Sequence, residues 1–191
     1  MNEKGIDRRV RKTQRQLRLA LAQLMRQKPV QKITVRELAD LVDINRATFY
    51  LHYRDVFDLL RHLEDELSQD FNRIIEEHQS DLLRGTLLPL LQELFSSIQQ
   101  NADLVQVLLG ENGDMSFINR LKEFFRTVCL SHYTSVSQQA NSAHFEYSFS
   151  YMVSGCIGLF QRWLDGGMQE SCDEMAALTE QLILHGTKLI L

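Results

Sequence analysis

The stretch that most constrains this chain runs from Ile33 to Tyr53, ITVRELADLVDINRATFYLHY. Thr34 followed three residues later by Glu37 is a capping box, in which each side chain covers an orphan backbone N–H at a helix start. Ile33 before the cap and Leu38 beyond it form a hydrophobic staple. The device repeats at once: Asn45 is a good N-cap, with Ile44 before it and Phe49 at the matching inner position. Between the two starts lies Asp43, a residue type that tolerates the left-handed backbone a sharp turn demands. The second helix then offers Arg46, Thr48, Tyr50 and His52, all hydrogen-bonding groups. These signals predict two short helices joined by a tight turn, the build of a helix-turn-helix reading head.

Charge supports that reading. Residues 1–54 hold 13 Lys/Arg against 5 Asp/Glu, whereas residues 55–191 hold 8 against 20. A basic head on an acidic body is the pattern of a protein with one nucleic-acid face. Only 2 Pro and 9 Gly, with 44% hydrophobic residues, predict a compact and mostly helical chain. Cys129, Cys156 and Cys172 lie far apart without a Cys-x-x-Cys, as expected for reduced thiols in the cytoplasm. No signal peptide is evident, and the apolar run around Tyr151–Phe160 is too short to span a bilayer.

The opening residues to about Arg9 read as a disordered or basic arm. A helix over Val10–Gln27 follows, its first half crowded with Arg11, Lys12, Arg15 and Arg18. After the reading head, Asp55 and Asp58 suit the first turn of a helix running to about His78, ~35 Å long at 1.5 Å per residue. Further helices are predicted over Thr86–Gln100, Ala102–Leu109, Met115–Val136 and Ala143–Asp165, the last stopped by Gly166-Gly167. A final helix spans Asp173–Leu191. The all-α chain thus divides into a helix-turn-helix domain, 1–54, and a helical regulatory and dimerisation domain, 55–191. Gly155 and Gly158 share nearly one helix face and allow a close approach by another helix, from within the chain or from a partner.

The pattern Thr34-x-x-x-Leu38-Ala39 … Ile44-Asn45-Arg46-Ala47-Thr48-Phe49-Tyr50-x-His52-Tyr53 resembles the DNA-binding domain of the TetR/AcrR family of bacterial one-component regulators. Asp43 departs from the family's usual Gly, and Val56 from a Lys that steadies a phosphate contact; Arg54 is the substitute charge. The string from Tyr50 to Leu59 also resembles the branch containing regulators of dihydroxyacetone use. The resemblance implies a three-helix head, a homodimer formed through the last two helices, and a palindromic double-stranded DNA operator. It also implies a small-molecule effector that releases a repressor.

By the family's pattern the DNA-binding residues are Thr34, Arg36, Asn45, Arg46, Ala47, Thr48, Tyr50, His52 and Tyr53. Thr48, Tyr50 and His52 would bond phosphates, and Arg46 would face base edges, since its fork pairs with guanine O6 and N7. Phe49 is read as core, and Tyr53 as a packed ring with a hydroxyl open to water. The family's cavity suggests Phe125, Cys129, His132, Tyr133, Tyr147 and Tyr151 as pocket lining. No Gly-rich phosphate loop, Gly-x-Ser-x-Gly or metal-ligand spacing is present, so neither an enzyme nor a cofactor or metal is expected. Two alternatives stay open: an activator of the same family, or a helical protein-interaction module with a degenerate head.

Overall fold

The computed structural model describes residues 3–110, 113, 115, 117–123, 125–126 and 142–186. Among these the fold is helical throughout, with no strand. In chain order the helices are α1 (Glu3–Met25), α2 (Val35–Leu41), α3 (Arg46–Tyr50), α4 (Val56–Glu77), α5 (Gln79–Leu83), α6 (Leu88–Gln100), α7 (Ala102–Leu109), α8 (Ser142–Asp165) and α9 (Cys172–His185). A single 3-10 turn, Val30–Lys32, connects α1 to α2. Residues 117–123 are also helical, while the remainder of the helix expected to reach Val136 lies largely outside the described residues. None of the described helices is long and apolar enough to cross a membrane.

The chain forms two compact units, and the division falls within α4. Unit 1 comprises Met1–Leu67 and Asp103–Asp114; unit 2 comprises Ser68–Ala102 and Met115–Leu191. In unit 1 the apolar stripe of α1, Leu17, Leu21 and Met25, is buried together with Leu38, Phe49, Leu59 and Leu108. Arg26 at the end of α1 reaches Asp103 at 2.6 Å, which ties the 103–114 segment into this unit. The expected arm is not an arm: α1 is helical from Glu3. Arg, Lys and Gln, which crowd this stretch, are strong helix formers.

Unit 2 is centred on Phe95, fully buried, with the rings of Phe160 and Trp163 edge-on to it at 4.8 and 5.2 Å. Trp163 Nε1 donates to the Glu170 carbonyl at 2.9 Å, so the buried indole is satisfied. The start of α6 is capped from α9, because the Leu87 and Leu88 N–H groups donate to Glu180 Oε1 at 3.2 and 2.8 Å. As expected, α8 stops at Gly166-Gly167. Gly167 takes φ 80°, and Met168 N–H returns to Trp163 O at 2.9 Å, closing a Schellman motif. The last helix starts on a second capping box, Ser171 with Glu174, and ends at His185, short of the expected Leu191; residues 187–191 lie outside the described set.

The short helix α5 was not anticipated, and it brings a titratable cluster together. His78 Nδ1 lies 3.1 Å from Asp81 Oδ2, and Nε2 lies 2.8 Å from Glu93 Oε2 on α6. Arg73 also bonds Glu93 and Glu77, and Arg84 bonds Asp81. The bond to Asp81, against a smaller desolvation and with help from Glu93, raises the His78 pKa above its ordinary 6.5. A raised folded pKa means stability that is fully present below about pH 6.5 and is lost as pH rises through the folded value. Urea unfolding of the wild type should therefore weaken from pH 6 to 8, and His78→Gln should flatten that dependence. Equal slopes in both proteins would show that the cluster carries no such linkage.

Candidate nucleic-acid interface

The reading head forms as its local signals require. Thr34 Oγ1 accepts from the Glu37 N–H at 3.3 Å, while Glu37 Oε2 accepts from the Thr34 N–H at 3.0 Å. Lys28 adds a 2.5 Å contact to the other oxygen of Glu37. With the Lys28 bond as the main cause and the Thr34 bonds behind it, the Glu37 carboxyl falls to about 2. Asp43 adopts φ 54°. The N–H groups of Asp43 and Ile44 return to Asp40 O and Ala39 O, so the turn is a Schellman motif with Asp in the place Gly favours. Asn45 Oδ1 then accepts the Ala47 N–H at 2.9 Å and starts α3.

The short helix α3 has a sharply divided surface. Phe49 is fully buried and Tyr53 is 5% exposed, so these rings face the unit 1 core. Arg46 and Ala47 are exposed, Tyr50 is 58% exposed, and Thr48 and His52 are half-buried. The Tyr50 ring stands edge-on to Phe49 at 5.7 Å, a contact that holds a largely exposed side chain against the core. Arg36 is exposed on α2, 3.6 Å from Asp40. On α1 the side chains of Arg8, Arg9, Arg11, Lys12 and Arg15 are exposed and Arg18 is half-buried, so the head carries a broad basic surface.

The other residues of the head pack or bond within the protein. Tyr53 presents nothing to solvent: its ring packs against Phe49 and His62, and its hydroxyl bonds Gln14, with burial pushing the phenol up. The Thr34 hydroxyl and the Asn45 side-chain carbonyl accept as caps and so help to build the head. Val56 is 5% exposed and could not present a phosphate-binding group. Arg54 is no free substitute, because its guanidinium bonds Asp58 Oδ1 at 2.7 and 3.2 Å. That pairing, with the Arg54 N–H, holds the Asp58 carboxyl at about 2.

The pocket expectation also changes. Tyr147 and Tyr151 are 78% and 70% exposed, on the side of α8 opposite the buried Phe149, Val153 and Trp163. Aromatic residues occupy both faces of this helix, so residue type alone did not tell which face was inside. Phe125 is half-buried; Cys129, His132 and Tyr133 lie outside the described residues. Sequence reasoning also passed over Leu51, the variable position in the Tyr-x-His string, which is 82% exposed.

Fold and local geometry define the class: among the described residues, an all-helical protein built on an N-terminal helix-turn-helix. Residues 85–185, more than half the chain, match the family model described as "Transcriptional regulator C-terminal region" of the TetR type. The chain belongs to the TetR family of transcriptional regulators. It is similar to nucleoid occlusion factor SlmA of Alteromonas mediterranea, at 29% identity over 108 residues, 53% of this chain and 54% of that protein. The chain thus matches about half the length of that curated relative. Among solved structures, the fatty acid degradation regulator FadR from Bacillus halodurans superposes with a TM-score of 0.69 at 10% identity, covering 92% of this chain and 96% of that one. The dihydroxyacetone kinase operon activator DhaS gives 0.52 at 16% identity, covering 93% and 97%. At these identities the two likenesses show the fold.

Proposed function

We propose that this protein is a homodimeric, sequence-specific DNA-binding regulator, acting in the cytoplasm as a repressor that a small-molecule effector releases. Residues 1–54 are the DNA-binding domain and residues 55–191 the regulatory and dimerisation domain. The observation that carries the reading is the α2–turn–α3 geometry, with exposed Arg46 and Tyr50 above a buried Phe49 and within a strongly basic segment. Arg46 reads a base edge, Tyr50, Thr48 and His52 bond phosphates, and Arg36 works at the groove margin. The basic face of α1 adds attraction for the backbone.

An exposed stripe on unit 2 supports the dimer. Tyr147, Tyr151, Gly155 and Gly158 recur at helical spacing on α8, and Leu178 and Leu184 are 41% and 53% exposed on α9. Among the described residues a Cβ added at Gly155 or Gly158 would meet nothing within 4 Å, so no described neighbour accounts for those glycines. An exposed aromatic and aliphatic surface of this kind marks a protein interface. A two-fold dimer through it would pair two heads with a palindromic operator.

The test is binding of the full-length protein to a duplex selected from a random library, followed by fluorescence anisotropy as salt rises. Log affinity should fall linearly with log salt, by about 0.9 per phosphate neutralised. A slope near zero would sink the reading. Arg46→Ala should relax preference at one base pair by about 1–3 kcal/mol while other positions keep theirs. An unchanged selected sequence would show that Arg46 is not a base reader.

A further inference from the structure

We propose that Leu51, with Ala47 one turn before it, is an apolar reading element of this interface and recognises the 5-methyl group of thymine in the major groove. The inference rests on the DNA-binding reading and deepens it. At 82%, Leu51 is the most exposed large hydrophobic residue among the described residues. It closes α3 with φ −71° and ψ −19°, still helical, and its N–H bonds the Ala47 carbonyl at 3.2 Å. At about 100° per residue, Leu51 therefore stands about 160° around the helix from Phe49, the buried ring of α3. The side chain at the outer pole of the reading helix is thus a leucine, with Arg46 and Tyr50 on one flank and Thr48 and His52 on the other.

Helical side chains lean toward the N-terminus, so exposed Leu51 leans toward exposed Ala47 one turn before it, and the two line one apolar ridge. The charge around the ridge selects the occupant: exposed Arg46 and Arg36, within a segment of 13 Lys/Arg against 5 Asp/Glu, suit a polyanion. A major groove about 12 Å wide admits a helix. Among base edges there, only thymine carries a methyl group that an aliphatic side chain can dehydrate.

The experiment compares full-length wild type with Leu51→Ala, an exchange at an exposed position that leaves the core untouched. Each protein is taken through selection from a random duplex library, and the selected site is then remade with deoxyuridine for each thymidine in turn. Wild type should lose about fourfold in affinity at the thymidine that Leu51 covers, the worth of one buried methyl. Leu51→Ala should select sites with no preference for that thymidine and should ignore its demethylation. The salt slope should be the same in both proteins, because no charge has changed. Equal sensitivity to deoxyuridine in both proteins overturns the proposal. So does an unchanged selected sequence, and so does loss of self-association in Leu51→Ala, which would give the ridge to a second copy of the chain. If wild type itself binds no duplex in a salt-dependent way, the DNA-binding reading fails first and takes this inference with it.

Discussion

Phe49→Ala will detach the reading helix and lower the stability of unit 1 by about 3–5 kcal/mol, the usual cost of truncating a buried aromatic ring. The magnitude follows from how little else holds α3. Five residues cannot sustain a helix in water, since nucleation is unfavourable and most helical stability comes from packing. Phe49 supplies that packing, with 0% exposure and with the rings of Tyr50 and Tyr53 at 5.7 and 5.8 Å. A loss of this size is a large part of the roughly 5–15 kcal/mol that holds a typical domain. Urea unfolding followed by circular dichroism measures the effect. Amide exchange should locate it, with protection lost first at the Leu51, His52 and Tyr53 amides that bond back into α3. A change below about 1 kcal/mol would mean that Asn45 and the turn hold α3 without the ring.

The parts of the head legible in the sequence were those encoded over three to five residues. Thr34 with Glu37, Asn45 before Arg46 and the left-handed Asp43 are local devices whose partners sit within one helical turn, and each forms as read. What stayed hidden depends on remote partners. Glu180 caps α6 from across 92 residues, and His78 acquires Glu93 from 15 residues away. No spacing rule announces either. The fate of Arg54 was hidden for a different reason: its i,i+4 relation to Asp58 is visible, but only burial of that carboxylate shows that the pair is structural. Tyr147 and Tyr151 misled because α8 carries aromatic residues on both faces.

The same exposure sets up the second large effect. On the proposed dimer, Gly155→Leu should leave the single chain folded and break the assembly. Within one chain, an added Cβ at this position meets no atom of the described residues within 4 Å. Leucine is also the better helix former, by most of the roughly 1 kcal/mol that separates Gly from Ala, so α8 itself should gain stability. At a two-fold seam the sign reverses. There the new side chain enters a close helix contact, and overpacking costs about 1–3 kcal/mol at each copy. Two-fold symmetry places the substitution on both sides, so the dimer should weaken by about 2–6 kcal/mol, more than tenfold in dissociation constant even at the lower bound. Sedimentation velocity over a concentration series should show monomer at concentrations where the proposed wild-type dimer forms, while circular dichroism keeps its helical signal. Operator affinity should fall with the dimer, since one head then binds without its partner. A variant that stays dimeric with unchanged affinity would move the seam away from Gly155. A variant that loses helicity at every concentration would contradict the open space around that residue.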